Sequence, residues 1–200
     1  MEKTSFSGAV PAGGKSKRMG RDKASLRIGD RSFLEVQLNK LRAAGIRELM
    51  VSCAKGKRPE TAMDVKIVED IVPDKGPLAA IASVLSETEA EWCVVLSVDA
   101  LGVSPETIRK LMDAAKNSSA DIVILSSPAG LQPLIGAYKK TLAEEALALV
   151  NDGKLAVRAL FENHTPALIE LPEYSPELFN CNTPEDLAKF AALAEKRKIY

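Results

Sequence analysis

Three glycines and five cations fall within the twelve residues Ala12-Gly13-Gly14-Lys15-Ser16-Lys17-Arg18-Met19-Gly20-Arg21-Asp22-Lys23. Glycine permits φ > 0 and lets a ligand approach the main chain with no Cβ in the way. Free backbone N–H groups with Lys and Arg beside them form a place for phosphate oxygens. Composition alone is equally consistent with a solvated basic surface loop. Further down the chain, Ser52, Asp70 and Asp99 each close a run that reads as a strand. A carboxylate at such an end can hold Mg²⁺ against phosphate oxygens, because Mg²⁺ commonly takes one or two carboxylates and leaves its other positions to substrate and water. The competing reading for Asp70 and Asp99 is a cap on the following turn. No Ser/His/Asp arrangement and no nucleophilic cysteine context is present, and His164, the one histidine, has no partner pattern and reads as a loop residue.

These groups need a scaffold that brings strand ends together. Phe6 to Pro11 should be the first strand, needed to carry the glycine loop although Ser7, Gly8 and Ala9 are weak strand formers and Pro11 cannot donate to a ladder. Leu34, Leu38 and Leu41 recur at helical spacing before a stop at Gly45. Short buried strands are expected at Glu48 to Ser52 and around Val65 and Ile67, with a polar loop from Gly56 to Thr61 between them. A helix from Gly76 to Leu85 places Leu78, Ile81, Ala82 and Leu85 on one face. Glu91 to Val98 contains the continuous apolar run Trp92-Cys93-Val94-Val95-Leu96, as a central parallel strand covered on both faces requires. Ser104-Pro105 caps a helix to about Lys116. Strands follow at Ile122 to Leu125 and Pro133 to Tyr138, then a helix from about Leu142 to Val150 stopped near Gly153. A further helical turn or two is expected at Leu155 to Phe161, and an edge strand at Ala167 to Leu171. Thr183-Pro184-Glu185-Asp186 opens a final helix to about Lys196. The alternation predicts an α/β chain with a mostly parallel sheet and helices on both faces. The segment Ser127 to Ser175 breaks the alternation and should supply an antiparallel strand and substrate-facing loops. In such sheets ligands bind beyond the carboxyl ends of the strands, near a switch in strand order.

Two hundred residues with 46% hydrophobic and 27% charged content suit one domain spanning 1–200. The formal net charge is zero, which argues against a general nucleic-acid binder. No run approaches the ~20 apolar residues of a membrane span, so no membrane partner is expected. Met1 to Gly8 carries no apolar leader core. Cys53, Cys93 and Cys181 have no metal-type spacing and no disulfide framework. They read as buried small hydrophobes, and a reducing cytoplasm is the expected compartment.

The order A-G-G-x-S-x-R-M-G-x-D-K in the first loop resembles the signature of the molybdenum cofactor guanylyltransferases, within a wider nucleotidyltransferase superfamily. It is neither a Walker A pattern nor a G-x-G-x-x-G fingerprint. Gly76-Pro77-Leu78-Ala79-Ala80 is similar to that family's G-P-L-A-G, and Asn180-Cys181-Asn182-Thr183-Pro184-Glu185-Asp186 to its N-x-N-T-P-E-[ED]. Gln132-Pro133-Leu134 sits where the family has a short x-P-L/T element. The chain departs from the pattern at Pro11, where Leu is usual, at Ala80 in place of the last glycine, and at Asp99-Ala100-Leu101 in place of D-x-P. The resemblance implies a Rossmann-like three-layer sandwich of the nucleotide-diphospho-sugar transferase type.

It also implies nucleotidyl transfer: the terminal phosphate of molybdopterin attacks the α-phosphate of GTP, pyrophosphate leaves, and molybdopterin guanine dinucleotide forms. The attacking phosphate is already ionised, so no general base is required. By resemblance, Pro11, Ala12, Gly13, Gly14, Lys23, Ser52, Asp70, Gly76 and Asp99 lie on the nucleotide side. Arg18 and Lys23 neutralise the triphosphate, Asp99 holds Mg²⁺, and Asn180 and Asn182 lie nearer the acceptor. Gly13 and Asp22-Lys23 lean toward GTP, because relatives that use CTP tend to show A-A-G and P-K there. The alternatives are a CTP-dependent enzyme on the same pterin, a transferase acting on a sugar or polyol phosphate, and a non-catalytic nucleotide-binding homologue. A transient contact with a molybdenum-insertion protein or an apo-enzyme chaperone is implied only by the family.

Overall fold

A computed structural model describes residues 4–13, 23–183 and 185–190. Its centre is a seven-stranded sheet in the order β5-β4-β1-β6-β8-β7-β9. The strands are β1 (Phe6–Pro11), β4 (Glu48–Cys53), β5 (Lys66–Glu69), β6 (Trp92–Leu96), β7 (Ile122–Ser127), β8 (Gly130–Lys139) and β9 (Ala167–Glu170). Two short strands, β2 (Arg27–Ile28) and β3 (Arg31–Ser32), form a separate hairpin. The helices are α1 (Phe33–Ala43), α2 (Gly76–Glu87), α3 (Pro105–Asn117) and α4 (Ala143–Asn151). Pairing is parallel throughout the large sheet except at β8, which runs antiparallel to both β6 and β7. The expected α/β class, the antiparallel insertion and the edge placement of β9 are all present.

The alternation of side chains along each strand divides the core into two layers. Trp92, Val94 and Leu96 pack with α1 and α3, whereas Cys93 and Val95 pack with α2 and α4. Both faces of β6 are therefore covered, which is why its sequence is an unbroken apolar run. All three cysteines are buried and unpaired. Trp92 and Tyr138 are fully buried packing residues.

Pro11 fits a central strand because the β1–β6 ladder has already ended at Ala9–Val95, so its missing N–H has no partner to lose. β8 begins earlier than its sequence suggests. Pro133 falls where the β7–β8 register shifts, between the Leu125–Gln132 and Ile124–Gly136 pairs, and proline is tolerated at such a bulge. The Leu155 to Phe161 turn is a 3-10 segment at Val157–Glu162. At the C-terminal helix, Thr183 Oγ1 accepts from Asp186 N while Asp186 Oδ2 accepts from the N–H groups of Asn182 and Thr183. The expected cap is thus in place and residues 185–190 are helical. Pro184 and the stretch toward Lys196 lie outside the described residues.

Candidate active site

The chain leaves β1 for β4 and β5 on one side, then crosses to place β6 on the other side of β1. Strand order therefore reverses between β1 and β6, and the crevice beyond their carboxyl ends is where an open α/β sheet binds ligands. A cavity of about 440 Å³ opens there. Its wall includes Pro11 at the end of β1, Ala12 and Gly13 after it, Asp70 after β5, Gly76 and Ala80 of α2, and Lys23 and Asp99.

Asp70 and Gly13 face each other at one end. A Cβ built on Gly13 would lie 2.9 Å from Asp70 Oδ2, so glycine is what allows the loop main chain to pass this close to the carboxylate. Asp70 Oδ1 is buried and makes no hydrogen bond among the described residues. Burial raises the Asp70 carboxyl above its ordinary value, the nearby Ser52 hydroxyl counters this, and Asp74 adds to it. Ser52 itself does not line the cavity. Its side chain is fully buried beside Asp70, and its carbonyl accepts from Ala12 N at 2.8 Å, fixing the start of the glycine loop.

At the other end, Lys23 Nζ lies 2.7 Å from both Asp99 Oδ2 and Asn182 Oδ1. The second Asp99 oxygen accepts from Ser97 Oγ at 2.5 Å. Asn182 is held here because Cys181 N donates to the Asp99 carbonyl and Gly102 N to the Phe179 carbonyl. The C-terminal segment thus lies along the turn that follows β6. Asn180 is half-buried on the same segment but does not line the cavity.

The donor chemistry at this end fits a hard divalent cation. A carboxylate oxygen and an amide oxygen converge on one point, now taken by an ammonium of like charge. Among the described residues no group of three or more His, Cys, Asp or Glu could cage a metal. An ion here would complete its shell with water and ligand phosphates, which is the habit of Mg²⁺.

Of the residues expected at the site, Pro11, Ala12, Gly13, Lys23, Asp70, Gly76 and Asp99 share one cavity, with Asn182 bonded at its edge. Gly14 and Arg18 lie outside the described residues. The sequence reading missed Ser97, Gln37 and Lys40. Gln37 Nε2 donates to the Ser97 carbonyl and Lys40 Nζ to the Leu101 carbonyl, each at 2.7 Å. Their signal was available: both are polar positions on the buried face of α1. His164 is in a loop as expected, and there it lies between two carboxylates that no sequence pattern announced, Asp121 and Glu145, far from the cavity at the opposite end of the sheet.

Among the described residues no helix is long and apolar enough to cross a membrane. Comparison with known proteins agrees with the architecture. The sequence model of the MobA-like NTP transferase domain matches residues 8–168. The Mycobacterium avium protein named "Probable molybdenum cofactor guanylyltransferase" is 35% identical, over 96% of each chain. The molybdenum cofactor guanylyltransferase of Rhizobium meliloti is 30% identical over 92% of this chain and 89% of its own. Among solved structures, the molybdopterin-guanine dinucleotide biosynthesis protein A of Archaeoglobus fulgidus superposes with a TM-score of 0.79 at 22% identity, covering 95% of this chain and 99% of its own. A Mycobacterium tuberculosis H37Rv protein solved in complex with manganese superposes at 0.68 with 20% identity, covering 94% and 99%. The chain belongs to the MobA-like NTP transferase family.

Proposed function

We propose that this protein transfers GMP from GTP to the terminal phosphate of molybdopterin, forming molybdopterin guanine dinucleotide and releasing pyrophosphate, with Mg²⁺ as the cation. The reading takes residues 1–200 as one nucleotidyltransferase domain. The reading includes a cytoplasmic setting, where Cys53, Cys93 and Cys181, all buried as free thiols, would stay reduced. The observation that carries the proposal is the Lys23 ammonium, bonded at once to Asp99 and to Asn182 at the mouth of the switch-point cavity. One cation there adjoins both the nucleotide side and the acceptor side, where an attacking phosphate and an α-phosphate must meet.

The chain's own residues then have distinct tasks. The Gly13 main chain and Asp70 receive the base. An ionised Asp70 suits guanine, whose N1–H and N2–H₂ are both donors, better than cytosine, which presents one donor group beside acceptors. Lys23, with Arg18 from the glycine loop, neutralises phosphate charge as it moves to the leaving pyrophosphate. Asp99 and Asn182 supply the oxygens that would hold Mg²⁺. The chemistry such a cation supplies is charge neutralisation across the triphosphate oxygens. Asn180 and Asn182 border the acceptor. Positioning and electrostatics suffice, because the attacking phosphate needs no base.

The test is thermal stabilisation by GTP, CTP, ATP and UTP in the presence of Mg²⁺, followed by turnover with the pterin. GTP should stabilise selectively. In Asp99→Ala the Mg²⁺-dependent part of the shift should vanish and turnover should fall by about 100-fold or more, with the fold intact. Normal turnover in Asp99→Ala would end the metal assignment, and a CTP preference would overturn the base assignment.

A further inference from the structure

Asp99 sits inside the turn from Ser97 to Gly102, and the carbonyls two residues before and two residues after it are both held by one turn of α1. Gln37 Nε2 donates to the Ser97 carbonyl and Lys40 Nζ to the Leu101 carbonyl, each at 2.7 Å. Both side chains are buried, Gln37 at 0% and Lys40 at 5% exposure. Within the turn, Ala100 N donates to the Ser97 carbonyl at 3.1 Å and Leu101 N to the Asp99 carbonyl at 2.8 Å. Leucine at 101 leaves φ free, where a proline would have set it. The same turn carries the C-terminal segment through the Asp99–Cys181 and Gly102–Phe179 bonds, so whatever fixes it also fixes Asn182.

We propose that Gln37 and Lys40 are positioning residues that brace this turn from below, so that Asp99 Oδ2 and Asn182 Oδ1 converge on a single cation site. The proposal rests on the reading of Asp99 as the metal-side carboxylate. Core stability alone does not account for the pair. A buried ammonium is costly, and burial lowers Lys40 to about 7 with Glu177 opposing. Gln37 uses its amide N–H on the turn, while its Oε1 is buried and makes no hydrogen bond among the described residues. These are expensive groups for filling space, yet each is aimed at a carbonyl flanking the same carboxylate. Partners that orient a ligand without touching the ion commonly affect metal affinity strongly.

The experiment compares Lys40→Met, Lys40→Arg, Gln37→Leu and Asp99→Asn. It measures Mn²⁺ affinity in the presence of GTP by electron paramagnetic resonance, metal-free GTP affinity by calorimetry, kcat and KM, and melting temperature. Lys40→Met and Gln37→Leu should each lower Mn²⁺ affinity and kcat about tenfold or more. Metal-free GTP affinity and the KM for GTP should stay within about threefold, because Gly13 and Asp70 at the far end of the cavity are untouched. Lys40→Arg, which keeps a cationic donor, should recover most of the loss. Folded variants with wild-type Mn²⁺ affinity and kcat would overturn the proposal. If Lys40→Met does not fold, Gln37→Leu decides by the same readouts. If Asp99→Asn loses Mn²⁺ affinity while the α1 variants keep it, only the bracing role falls. If Asp99→Asn itself binds Mn²⁺ normally, the metal assignment falls and takes the bracing role with it.

Discussion

Asp70 is incompletely satisfied by its surroundings. Its Oδ1 is buried and makes no hydrogen bond among the described residues, and its carboxyl is raised, chiefly by burial. The other oxygen, Oδ2, is the one the glycine loop approaches, and a hydrogen bond from a ligand donor to a charged acceptor contributes roughly 1.5–3 kcal/mol. On the proposed reading guanine presents two donors to this carboxylate, so binding should hold Asp70 ionised against its desolvation. In Asp70→Asn the charge-assisted bonds are lost, and GTP affinity should fall about 10–100-fold, the equivalent of roughly 1.5–3 kcal/mol. CTP affinity should change little, so the preference narrows. Calorimetry with both nucleotides checks this, and an unchanged GTP-to-CTP ratio would mean that the base is read elsewhere. Gly13→Ala should act in the same direction more weakly, because its Cβ would displace Asp70 Oδ2 rather than remove it.

At the scale of elements, the site depends on two segments remote in sequence that lie side by side. The turn after β6 accepts and donates bonds to the segment around 176–182, and Ser104 N donates to Glu177 Oε2 at 2.7 Å. Gly102 is the contact point. A Cβ there would overlap the Pro176 carbonyl oxygen and stand 2.8 Å from Phe179 N. Gly102→Ala should therefore lift the C-terminal segment, raise the KM for the acceptor severalfold and cost about 1–3 kcal/mol in thermal denaturation, while metal-free GTP affinity holds. An unchanged acceptor KM would separate Asn182 from acceptor binding. The same elements show what could be read beforehand. The unbroken apolar run of β6 and the Ser104-Pro105 start of α3 were legible because burial and capping leave local patterns. The β2–β3 hairpin was not, since two-residue strands carry no periodicity. The Lys23–Asn182 bond joins residues 159 apart, a contact that spacing cannot announce; resemblance assigned the two residues to opposite sides of one site and not to each other. Gln37 and Lys40 showed as polar breaks in an apolar stripe, but what they face is decided by the packing of α1 on the sheet.

At the scale of the whole molecule, the two ends of the sheet are different places. The carboxyl ends of the parallel strands hold the cavity, whereas the amino ends carry a charged clamp. His164 Nε2 meets Glu145 Oε2 at 2.7 Å and its Nδ1 meets Asp121 Oδ2 at 3.2 Å; Asp121 also pairs with Lys139 at 2.8 Å. This joins the approach to β9, the end of β8, the start of β7 and α4. The hydrogen bond to Glu145 leads in raising His164 above its ordinary value, and Asp121 and Glu145 are both lowered, by bonds to Lys139 and Asn163 first. A histidine raised on folding contributes stability that is complete below its unfolded value of about 6.5 and is lost as pH climbs through the folded value. The two carboxylates contribute stability present above their unfolded values, near 4, and lost as pH falls through their folded ones. The clamp is therefore strongest near pH 5 to 6. Lys40 runs the other way: held near 7 in the fold and near 10.4 when unfolded, it makes stability rise with pH above 7. The wild-type curve mixes the two, so the difference between wild type and His164→Gln isolates the clamp. Wild type should be more stable by about 0.5–1 kcal/mol at pH 5.5, since pairs this near the surface are screened, and the advantage should shrink as pH rises through the raised folded value of His164. Metal-free GTP affinity should be the same in both proteins at pH 5.5, because the clamp and the cavity lie at opposite ends of the sheet. A stability difference that does not depend on pH would reduce His164 to a packing residue, and a linked change in GTP affinity would show that the two ends are coupled through the sheet.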